Sequence, residues 1–337
     1  MRRATFLLAL ILATLPLAAR DLDIYFIDVE GGQATLIVTP AGKSMLVDAG
    51  WPGNQGRDAR RIAAAAKLAG IKQIDYMLVT HYHLDHVGGV PELAAILPIV
   101  TYVDHGPNTE TDVPAKVLSA AYAPVVAKGK HLVVRPGDQI PLAGVEVRVV
   151  AARGVTIKAP LEGAGAANPA CGAVSPQAAD PTENARSVAF LLAYGKFRFA
   201  DFGDITWNTE NALVCPANLL GASELYLMTH HGLDISNSPA MLSALRPRVA
   251  IMNNGANKGG APRAWWRIAH NPGFEDLWQL HYAVAGGPGH NAQAQFIANP
   301  ETAACQGHWI KVTARSDGSF TVTNGRDNRS KTYTARK

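Results

Sequence analysis

The sequence predicts an α/β fold, a sandwich of two mixed β-sheets with helices on the outer faces, and three observations support this. The 337 residues are 48% hydrophobic, enough for a full buried core. The chain opens with short apolar strands, then alternates strands with helices, and repeats this order in its second half. No Pro/Ser-rich linker divides the halves, and two such halves suit a single sandwich of sheets with helices outside.

The first half begins with an antiparallel meander. Three strand-like runs, 23–29, 34–40 and 43–50, are separated by Gly-rich or Pro-Ala-Gly turns. A helix over 57–70 ends at a glycine, as a C-cap predicts. The remaining predicted elements of this half are a strand at 74–80, a short helix at 90–98, a strand at 99–105, a helix at 114–129 that Pro124 interrupts, and strands within 131–152.

The second half repeats the pattern of strands and helices. Its predicted elements are a hairpin at 187–204, strands at 224–232 and 248–254, helices at 238–247 and 262–270, and a closing hairpin at 308–324 that turns at Asp317-Gly318. The basic segment 324–337 is expected to be a solvated tail. Between the halves, residues 153–186 are rich in Gly, Ala and Pro. So long a loop suggests a flap near the active site, with a surface insertion as the alternative.

The N-terminus has the features of a secretory signal peptide. Arg2 and Arg3 precede an apolar stretch of about a dozen residues, and small residues follow at Ala18 and Ala19. We therefore expect residues 1–19 to be removed from a periplasmic or secreted protein whose single domain spans 20–337. An uncleaved N-terminal anchor is the alternative, and no later segment is long and apolar enough to span a membrane.

The net charge indicates the class of substrate, and the cysteines indicate a disulfide. The chain has 31 Lys+Arg and 27 Asp+Glu, so without Arg2 and Arg3 the mature net charge is about +2. This balance does not support a polynucleotide partner and favours a small-molecule or polymer substrate. Of the three cysteines, Cys171 and Cys215 lie in irregular segments and form the favoured disulfide, leaving Cys305 free.

Three histidines and an aspartate fall within six residues of "THYHLDHVGG", directly after an apolar strand. Alternate residues leaving a strand point to the same side, so His81 and His83 can share one ion. Asp85 and His86 follow the turn of the chain and can reach a neighbouring ion, while Gly88-Gly89 lets the backbone bend. Imidazoles and carboxylates suit Zn²⁺ and similar divalent ions.

This loop matches the His-x-His-x-Asp-His signature of the metallo-β-lactamase superfamily, and the chain resembles that superfamily from about Asp23 to about Asn254. The narrower resemblance is to the hydrolase domain of competence-type DNA-uptake channels and to related secreted phosphodiesterases. It is carried by "YFIDVEGGQATLIVTPAGKSMLVDAG", "ENARSVAFLLAYGKFRFADFGD" and "THHG". The resemblance implies an αββα sandwich that binds one or two divalent ions, Zn²⁺ or alternatively Mn²⁺.

The same resemblance assigns roles to residues outside the loop. Asp204 corresponds to a carboxylate that bridges two metals, and His231 to the last histidine ligand. Asp85 and His231 are the expected catalytic residues, with Asp85 orienting water or relaying a proton. His230 is expected to support the ligands or contact substrate. Asp48 is in the superfamily's Asp-x-Gly position and is expected to support the histidine loop.

The chain departs from the resembled group in several places. Glu30-Gly31-Gly32-Gln33 stands where Gly-Gln-Gly-Asp is usual, and Ala261-Pro262 stands where His-Pro is frequent. These changes leave the role of the displaced acidic residue open.

Lactamase-type members also supply a further histidine before the Gly-Asp strand, and this chain has none between His131 and His230. Asn184, or alternatively Asp180, would fill that position. Because an amide oxygen binds Zn²⁺ poorly, the first metal site is expected to be weaker or suited to Mn²⁺.

A hydrolase that uses metal-activated water is the favoured function, most plausibly on a phosphodiester or related phosphorylated substrate. Hydrolysis of a β-lactam or lactone is one alternative, and a non-catalytic binding protein on the same scaffold is another. His105, at a strand end, is expected to be structural, with substrate contact as the alternative; His281 and His290 are weaker candidates for substrate contacts.

Overall fold

The computed structural model describes residues 21–173, 175–300 and 305–336, so the expected signal peptide lies outside the described residues. Its strands are β1 (Leu22–Phe26), β2 (Thr35–Val38), β3 (Ser44–Val47), β4 (Ile74–Leu78), β5 (Ile99–Asp104), β6 (Lys130–Val133), β7 (Gln139–Ile140), β8 (Glu146–Ala152), β9 (Val155–Thr156), β10 (Ala189–Tyr194), β11 (Phe197–Asp201), β12 (Leu225–Leu227), β13 (Val249–Met252), β14 (Asp276–His281), β15 (Ile297–Asn299), β16 (Ile310–Ala314), β17 (Phe320–Asn324) and β18 (Ser330–Tyr333). Its α-helices are α1 (Arg57–Leu68), α2 (Leu84–Val87), α3 (Val90–Ala94), α4 (Val113–Val126), α5 (Trp207–Val214), α6 (Pro239–Leu245) and α7 (Pro262–Ala269).

These strands form two mixed sheets. The first has the order β18-β17-β16-β1-β2-β3-β4-β5-β6, antiparallel as far as β3 and parallel from β3 to β6. The second has the order β15-β14-β13-β12-β11-β10-β8-β7, with β9 paired to β8. Its strands β11 to β15 run parallel. Parallel strands end at the same edge of a sheet, so each sheet presents a row of strand ends to one side.

Alternating apolar residues bury both faces of each sheet. In β1, Ile24 and Phe26 point into the core between the sheets, whereas Tyr25 points into the outer core under the helices. Phe26 meets Phe199 of the second sheet with ring centroids 5.8 Å apart. Residues of α1, α3 and α4 cover the outer face of the first sheet, and residues of α5, α6 and α7 cover the second. The layers are therefore αββα, which confirms the predicted fold class.

Two local predictions are wrong. Helix α4 continues through Pro124 instead of breaking there. Pro124 lies in the last turn, where its ring removes one hydrogen bond of a helix that ends two residues later. The segment 324–337 is also not simply a solvated tail, because β18 pairs with β17 within it. Tyr333 supplies the reason, since its buried ring stacks on Phe320 with centroids 4.8 Å apart.

The long segment 153–186 contains short structure of its own, including β9 and 3₁₀ turns at Pro169–Ala173 and Asn184–Arg186. A disulfide joins Cys171 to Cys215, which confirms the favoured pairing, and Cys305 is free. Hydrogen bonds such as Leu161 N to Leu219 O attach the segment to the residues that follow α5. Across the described ranges, no helix is long and apolar enough to cross a bilayer.

Candidate metal centre

The expected ligands lie where strands of the two sheets end. His81 follows β4, Asp204 follows β11, and His231 follows β12. Backbone hydrogen bonds hold these ends together, from Val188 N to Thr80 O at 2.8 Å across the sheets and from His230 N to Gly203 O at 3.0 Å. The sandwich therefore brings residues more than a hundred positions apart into one buried cluster.

Four of these residues converge on one point. The side-chain ligand atoms of Asp85, His86, Asp204 and His231 all lie within 4.8 Å of one another, and all four side chains are buried. His86 Nε2 lies 3.2 Å from His231 Nε2 and 3.3 Å from Asp85 Oδ2. Asp204 Oδ2 lies 3.2 Å from His86 Nε2 and 3.4 Å from His231 Nε2. This set has the nitrogen and oxygen donors that a divalent ion such as Zn²⁺ takes.

A second pair of nitrogens lies beside the same carboxylate. His81 Nε2 is 3.0 Å from His83 Nδ1 and 3.9 Å from Asp204 Oδ2. Asp204 Oδ2 thus lies between the two halves of the histidine loop. Asp204 Oδ1 is buried and has no hydrogen-bond partner among the described residues. A buried carboxylate oxygen without a donor is costly unless a cation neutralises it, so this atom fits a bridging ligand.

Asp48 orients one of the histidines. Its Oδ2 lies 2.7 Å from His86 Nδ1 and accepts the Thr80 hydroxyl at 2.6 Å, while its Oδ1 accepts Thr80 N at 2.8 Å. A carboxylate can only accept here, so His86 Nδ1 carries a proton and Nε2 is the nitrogen that faces the cluster. This is the carboxylate–histidine arrangement that fixes the tautomer of metal ligands. Asp48 is fully buried.

The last two histidines occupy a strained turn. His230 and His231 have φ of 56° and 54°, the left-handed region that non-glycine residues rarely adopt. Such strain persists only where the surroundings hold it and is typical of functional sites. The turn directs His231 to Asp85 at 3.2 Å and His230 to Asp204 Oδ2 at 3.4 Å. His230 therefore lies at the cluster, beside Asp204 Oδ2.

Without a metal, the cluster contains ionised carboxylates and a neutral His81, whereas His86 must release a proton before its Nε2 can bind a cation. Burial, reinforced by His86, lowers the pKa of His81 well below its usual value, so the imidazole is neutral near pH 7. Burial would also lower the pKa of His86, but Asp204, Asp85 and Asp48 outweigh it and raise that pKa well above its usual value. Burial opposes ionisation of Asp204, yet the surrounding histidines hold its pKa well below the usual range. The carboxylates are ionised and can bind a cation.

The two weaker ligand candidates in the long segment lie in a local turn. Asp180 Oδ1 accepts hydrogen bonds from Thr182 N at 2.9 Å and from the Thr182 hydroxyl at 2.7 Å. Asn184 N donates to Thr182 Oγ1 at 3.3 Å, and no hydrogen bond joins its buried Oδ1 to any described residue. Metal ligation by either residue stays a prediction.

His105 pairs with a carboxylate inside the protein, and its structural role, with substrate contact as the alternative, stays a prediction. It is fully buried, and its Nε2 lies 2.8 Å from Glu183 Oε2. Glu183 Oε1 accepts from Thr109 N at 2.9 Å and from its hydroxyl at 2.6 Å. Burial opposes ionisation of Glu183, but His105 and Thr109 lower its pKa to about 2. This ionised carboxylate ties the end of the long segment to the loop after β5.

Sequence reasoning missed Glu110, which lies in that loop. Its Oε1 is 3.2 Å from His83 Nε2 and accepts Glu183 N at 3.0 Å. Glu110 therefore contacts the ring nitrogen of His83 that faces away from the cluster. Asp48 contacts His86 in the same way. No local pattern marks Glu110, because it meets His83 only through the fold.

Lys258 was also missed. Its ammonium forms a hydrogen-bonded ion pair with Asp85 Oδ2 and lies 4.9 Å from the ring centroid of Trp51. The lysine side chain is 32% exposed, whereas Asp85 is 10% exposed, so the ammonium approaches the cluster from the solvent side. The only sequence signal was its place after β13, in "NNGANKGG", at the end of another parallel strand.

Residues 27–157 match the family model described as the metallo-beta-lactamase superfamily. Ribonuclease Z of Bradyrhizobium diazoefficiens is 34% identical over 85 residues, which are 24% of this chain. The chain spans about a quarter of that relative's length (26%).

Solved structures with low sequence identity were also found. Igni18, a metallo hydrolase from the archaeon Ignicoccus hospitalis, is 13% identical, with 76% of this chain and 94% of that chain covered and a TM-score of 0.43. A diphosphatase from the PhnP family is also 13% identical, with the same shares covered and a TM-score of 0.42. Residues 27–157, which match the metallo-beta-lactamase superfamily model, contain the whole histidine loop and the strand that precedes it.

Proposed function

We propose that the protein is an exported metal-dependent hydrolase that cleaves a phosphodiester or a related phosphorylated substrate. Hydrolytic chemistry accords with the superfamily model that residues 27–157 match. The phosphodiester part is carried by one observation, the Lys258 ammonium held at the ligand Asp85. A partial match to a protein named ribonuclease Z also supports it.

The nitrogen-rich ligand set suits Zn²⁺, with Mn²⁺ as the alternative. A divalent ion held there lowers the pKa of water toward neutrality and polarises a phosphoryl or carbonyl oxygen. Asp85 accepts a hydrogen bond from Lys258 and lies beside His86 and His231, so it is placed to orient water. His230, 3.4 Å from Asp204, is placed to contact substrate or the bridge.

Lys258 supplies a positive charge that does not depend on a metal. A phosphodiester carries a negative charge in the ground state and gains charge on its equatorial oxygens during cleavage. An ammonium fixed between Asp85 and the Trp51 ring needs little reorganisation to stabilise that charge. Trp51 also offers an apolar face at the solvent side, where the organic part of a substrate can pack.

The test compares three substrates and three variants. Metal-loaded protein is incubated with bis-p-nitrophenyl phosphate, single-stranded DNA and nitrocefin. We expect turnover of the first, and a loss of about 100-fold in kcat/KM in Lys258→Ala. Lys43→Ala is the matched control, since Lys43 pairs with Asp75 at the surface and should leave the rate unchanged. The double variant Asp85→Ala/His86→Ala should be inactive, and turnover of nitrocefin alone would sink the phosphodiester proposal.

Lys258 also favours one alternative, hydrolysis of a β-lactam or lactone, because an ammonium can equally pair with a substrate carboxylate. Against this, no histidine lies between His131 and His230, where lactamase-type members supply a ligand. A binding protein on the same scaffold is the third possibility. Full metal occupancy without turnover of any of the three substrates would favour it.

We propose export on residues 1–19 as part of the same function. The disulfide between Cys171 and Cys215 supports it, because such bonds persist in oxidising compartments. N-terminal sequencing of protein recovered from an extracytoplasmic fraction should show cleavage after Ala19. Full-length protein found solely in the cytoplasm would contradict export.

A further inference from the structure

A second group of potential metal ligands lies apart from the histidine loop and belongs to no role described above. We call it the Cys305 cluster, and its members are Asp28, Glu30, His281 and Cys305. One ligand atom from each lies within 4.8 Å of every other. The members come from three distant parts of the chain, the residues after β1, the end of β14 and the segment before β16. The fold, not a local motif, assembles them.

The spacing within the Cys305 cluster resembles a tetrahedral coordination shell. His281 Nε2 lies 2.7 Å from Asp28 Oδ1 and 3.8 Å from Glu30 Oε2. Cys305 Sγ lies 2.8 Å from Asp28 Oδ2 and 3.9 Å from His281 Nε2. Metal–ligand lengths of about 2.0–2.3 Å place the ligands of a tetrahedral ion roughly 3.3–3.7 Å apart. The observed distances bracket that range, so small side-chain shifts suffice.

Burial and residue type separate this cluster from an ordinary acidic patch. Asp28 and His281 are 0% and 1% exposed, and Glu30 and Cys305 are partly buried. A thiol, an imidazole and two carboxylates are the donor types that hold zinc in proteins. Burial and then Asp28 raise the pKa of the Cys305 thiol, so the sulfur is protonated without an ion. Binding of a metal would then release a proton.

Arg61 lies against the cluster and supplies it with a positive charge, whereas Arg57, 4.0 Å from Glu30 Oε1, is paired with Asp58 at 2.6 Å. Its guanidinium contacts Asp28 Oδ2 at 2.9 Å, Glu30 Oε1 at 3.4 Å and Cys305 Sγ at 3.4 Å. The other oxygen of each carboxylate faces His281 instead. Each carboxylate can therefore accept a hydrogen bond from Arg61 with one oxygen and bind an ion with the other. Two carboxylates, a thiolate, Arg61 and a divalent ion would leave the site neutral.

We propose that the Cys305 cluster binds a single divalent transition-metal ion, zinc in chemistry, in a structural site distinct from the histidine-loop centre. All four positions are taken by protein ligands, as in closed structural sites that do not activate water. The ion would join the end of β1, the end of β14 and the segment that leads into β16.

This position matters to the histidine loop because the two sites share one short segment. Residues 28–33 run from the Cys305 cluster to the loop, where Gln33 N donates to Asp85 O at 3.1 Å. Gly31 packs so closely on Gly255 that a Cβ would lie 2.8 Å from its nitrogen. Gly255 N in turn donates to Lys258 O at 2.8 Å. An ion at the cluster would therefore steady the backbone that presents both Asp85 and Lys258.

Cobalt provides a readout that belongs to this site alone. With Cys171 and Cys215 in a disulfide, Cys305 is the one free thiol of the chain. Purified metal-free protein is titrated with Co²⁺ at pH 8 and followed by absorption. Because the histidine-loop centre holds nitrogen and oxygen donors, a near-ultraviolet sulfur-to-cobalt charge-transfer band can arise only from Cys305. We expect that band to appear and one bound ion to accompany it.

Matched variants separate the two sites. Cys305→Ser and His281→Gln should lose the charge-transfer band and one bound ion per chain, while the visible bands of the histidine-loop centre remain. Asp204→Ala should do the reverse and keep the sulfur band. Absence of the band in the unsubstituted protein at an excess of cobalt would overturn the proposal. So would persistence of the band in Cys305→Ser. Neither outcome depends on hydrolysis, so failure of the proposed function would leave this test intact.

Discussion

Asp48→Asn tests whether a buried carboxylate prepares His86 to bind metal. Asp48 Oδ2 receives the His86 Nδ1 proton at 2.7 Å, which leaves Nε2 free to coordinate. Asp48 has φ 59°, a left-handed conformation that asparagine tolerates well, so the backbone should be undisturbed. An amide in its place can keep the hydrogen bond from Thr80 N with its oxygen. Its NH₂ group then faces His86 Nδ1 and cannot accept a proton from it.

The expected magnitude follows from the tautomer. When the amide donates to Nδ1, the imidazole must carry its proton on Nε2, the atom that faces Asp85, Asp204 and His231. Metal binding must then displace that proton or break the new hydrogen bond. Loss of such a supporting partner lowers metal affinity about 10- to 100-fold. This corresponds to about 1.4–2.7 kcal/mol of binding free energy.

The assay is competition for Zn²⁺ between the protein and a chromogenic chelator. Asp104→Asn is the matched control, because Asp104 is also buried and also bonds a histidine, His131, at 2.8 Å. It accepts from Tyr122 and Gly106 but touches none of the loop ligands. We expect weaker zinc binding in Asp48→Asn and unchanged binding in the control. Equal affinities in all three proteins would refute the proposed role of the Asp48–His86 bond.

Three further predictions concern packing, charge and covalent structure. A Cβ at Gly32 would lie 2.4 Å from Asp85 O, so Gly32→Ala should destabilise the fold by about 1–3 kcal/mol and weaken metal binding. Gly289→Ala is the control, because a Cβ there has no neighbour within 4 Å, and it should leave the free energy of urea unfolding unchanged. Burial raises the pKa of Glu210 to about 7, so the native state keeps a proton that the unfolded chain loses above about pH 4.5. Stability should therefore fall as pH rises from about 4.5 to 7, by up to roughly 3 kcal/mol, and Glu210→Gln should flatten this dependence in urea unfolding at pH 5 and 8. Reducing the disulfide, which joins residues 44 apart, should lower the free energy of unfolding by about 4 kcal/mol, and an unchanged urea midpoint under reductant would contradict this.

The fold was largely predictable because its strands carry strong local patterns. The meander β1–β3 and the strands that end at the metal cluster read as apolar runs with clear boundaries. Elements with weak patterns were missed, namely α5, β14 and β15. Strand β14 contains "DLWQLH", in which the polar Gln279 is fully buried because the fold supplies Asn291 as its partner. A hydrogen-bond partner that is distant in sequence cannot be predicted from the local pattern of residues.

The centre of the site was predictable for a different reason. His81, His83, Asp85 and His86 are compact in sequence because one loop carries them, so their spacing alone indicates shared ligation. Glu110 and Lys258 reach the same cluster from loops with no comparable pattern. Each is identified only when parallel strand ends are brought to one side of the sandwich. The residues that orient and charge the site are therefore less visible in sequence than those that hold the metal.

The run Glu30-Gly31-Gly32-Gln33, which departs from the resembled group, now has a physical interpretation. The side-chain amide of Gln33 is buried and donates to Asp201 Oδ2 at 2.9 Å. Burial raises the pKa of Asp201 to about 7, and a neutral amide is the better neighbour for a carboxyl that resists ionisation. The displaced carboxylate, Glu30, faces the other way and pairs with Arg61 at the Cys305 cluster. Between them Gly32 permits the contact with Asp85 O that any side chain would prevent. A carboxylate at position 33 would place a second buried acidic group against Asp201 and would remove the amide that donates to it.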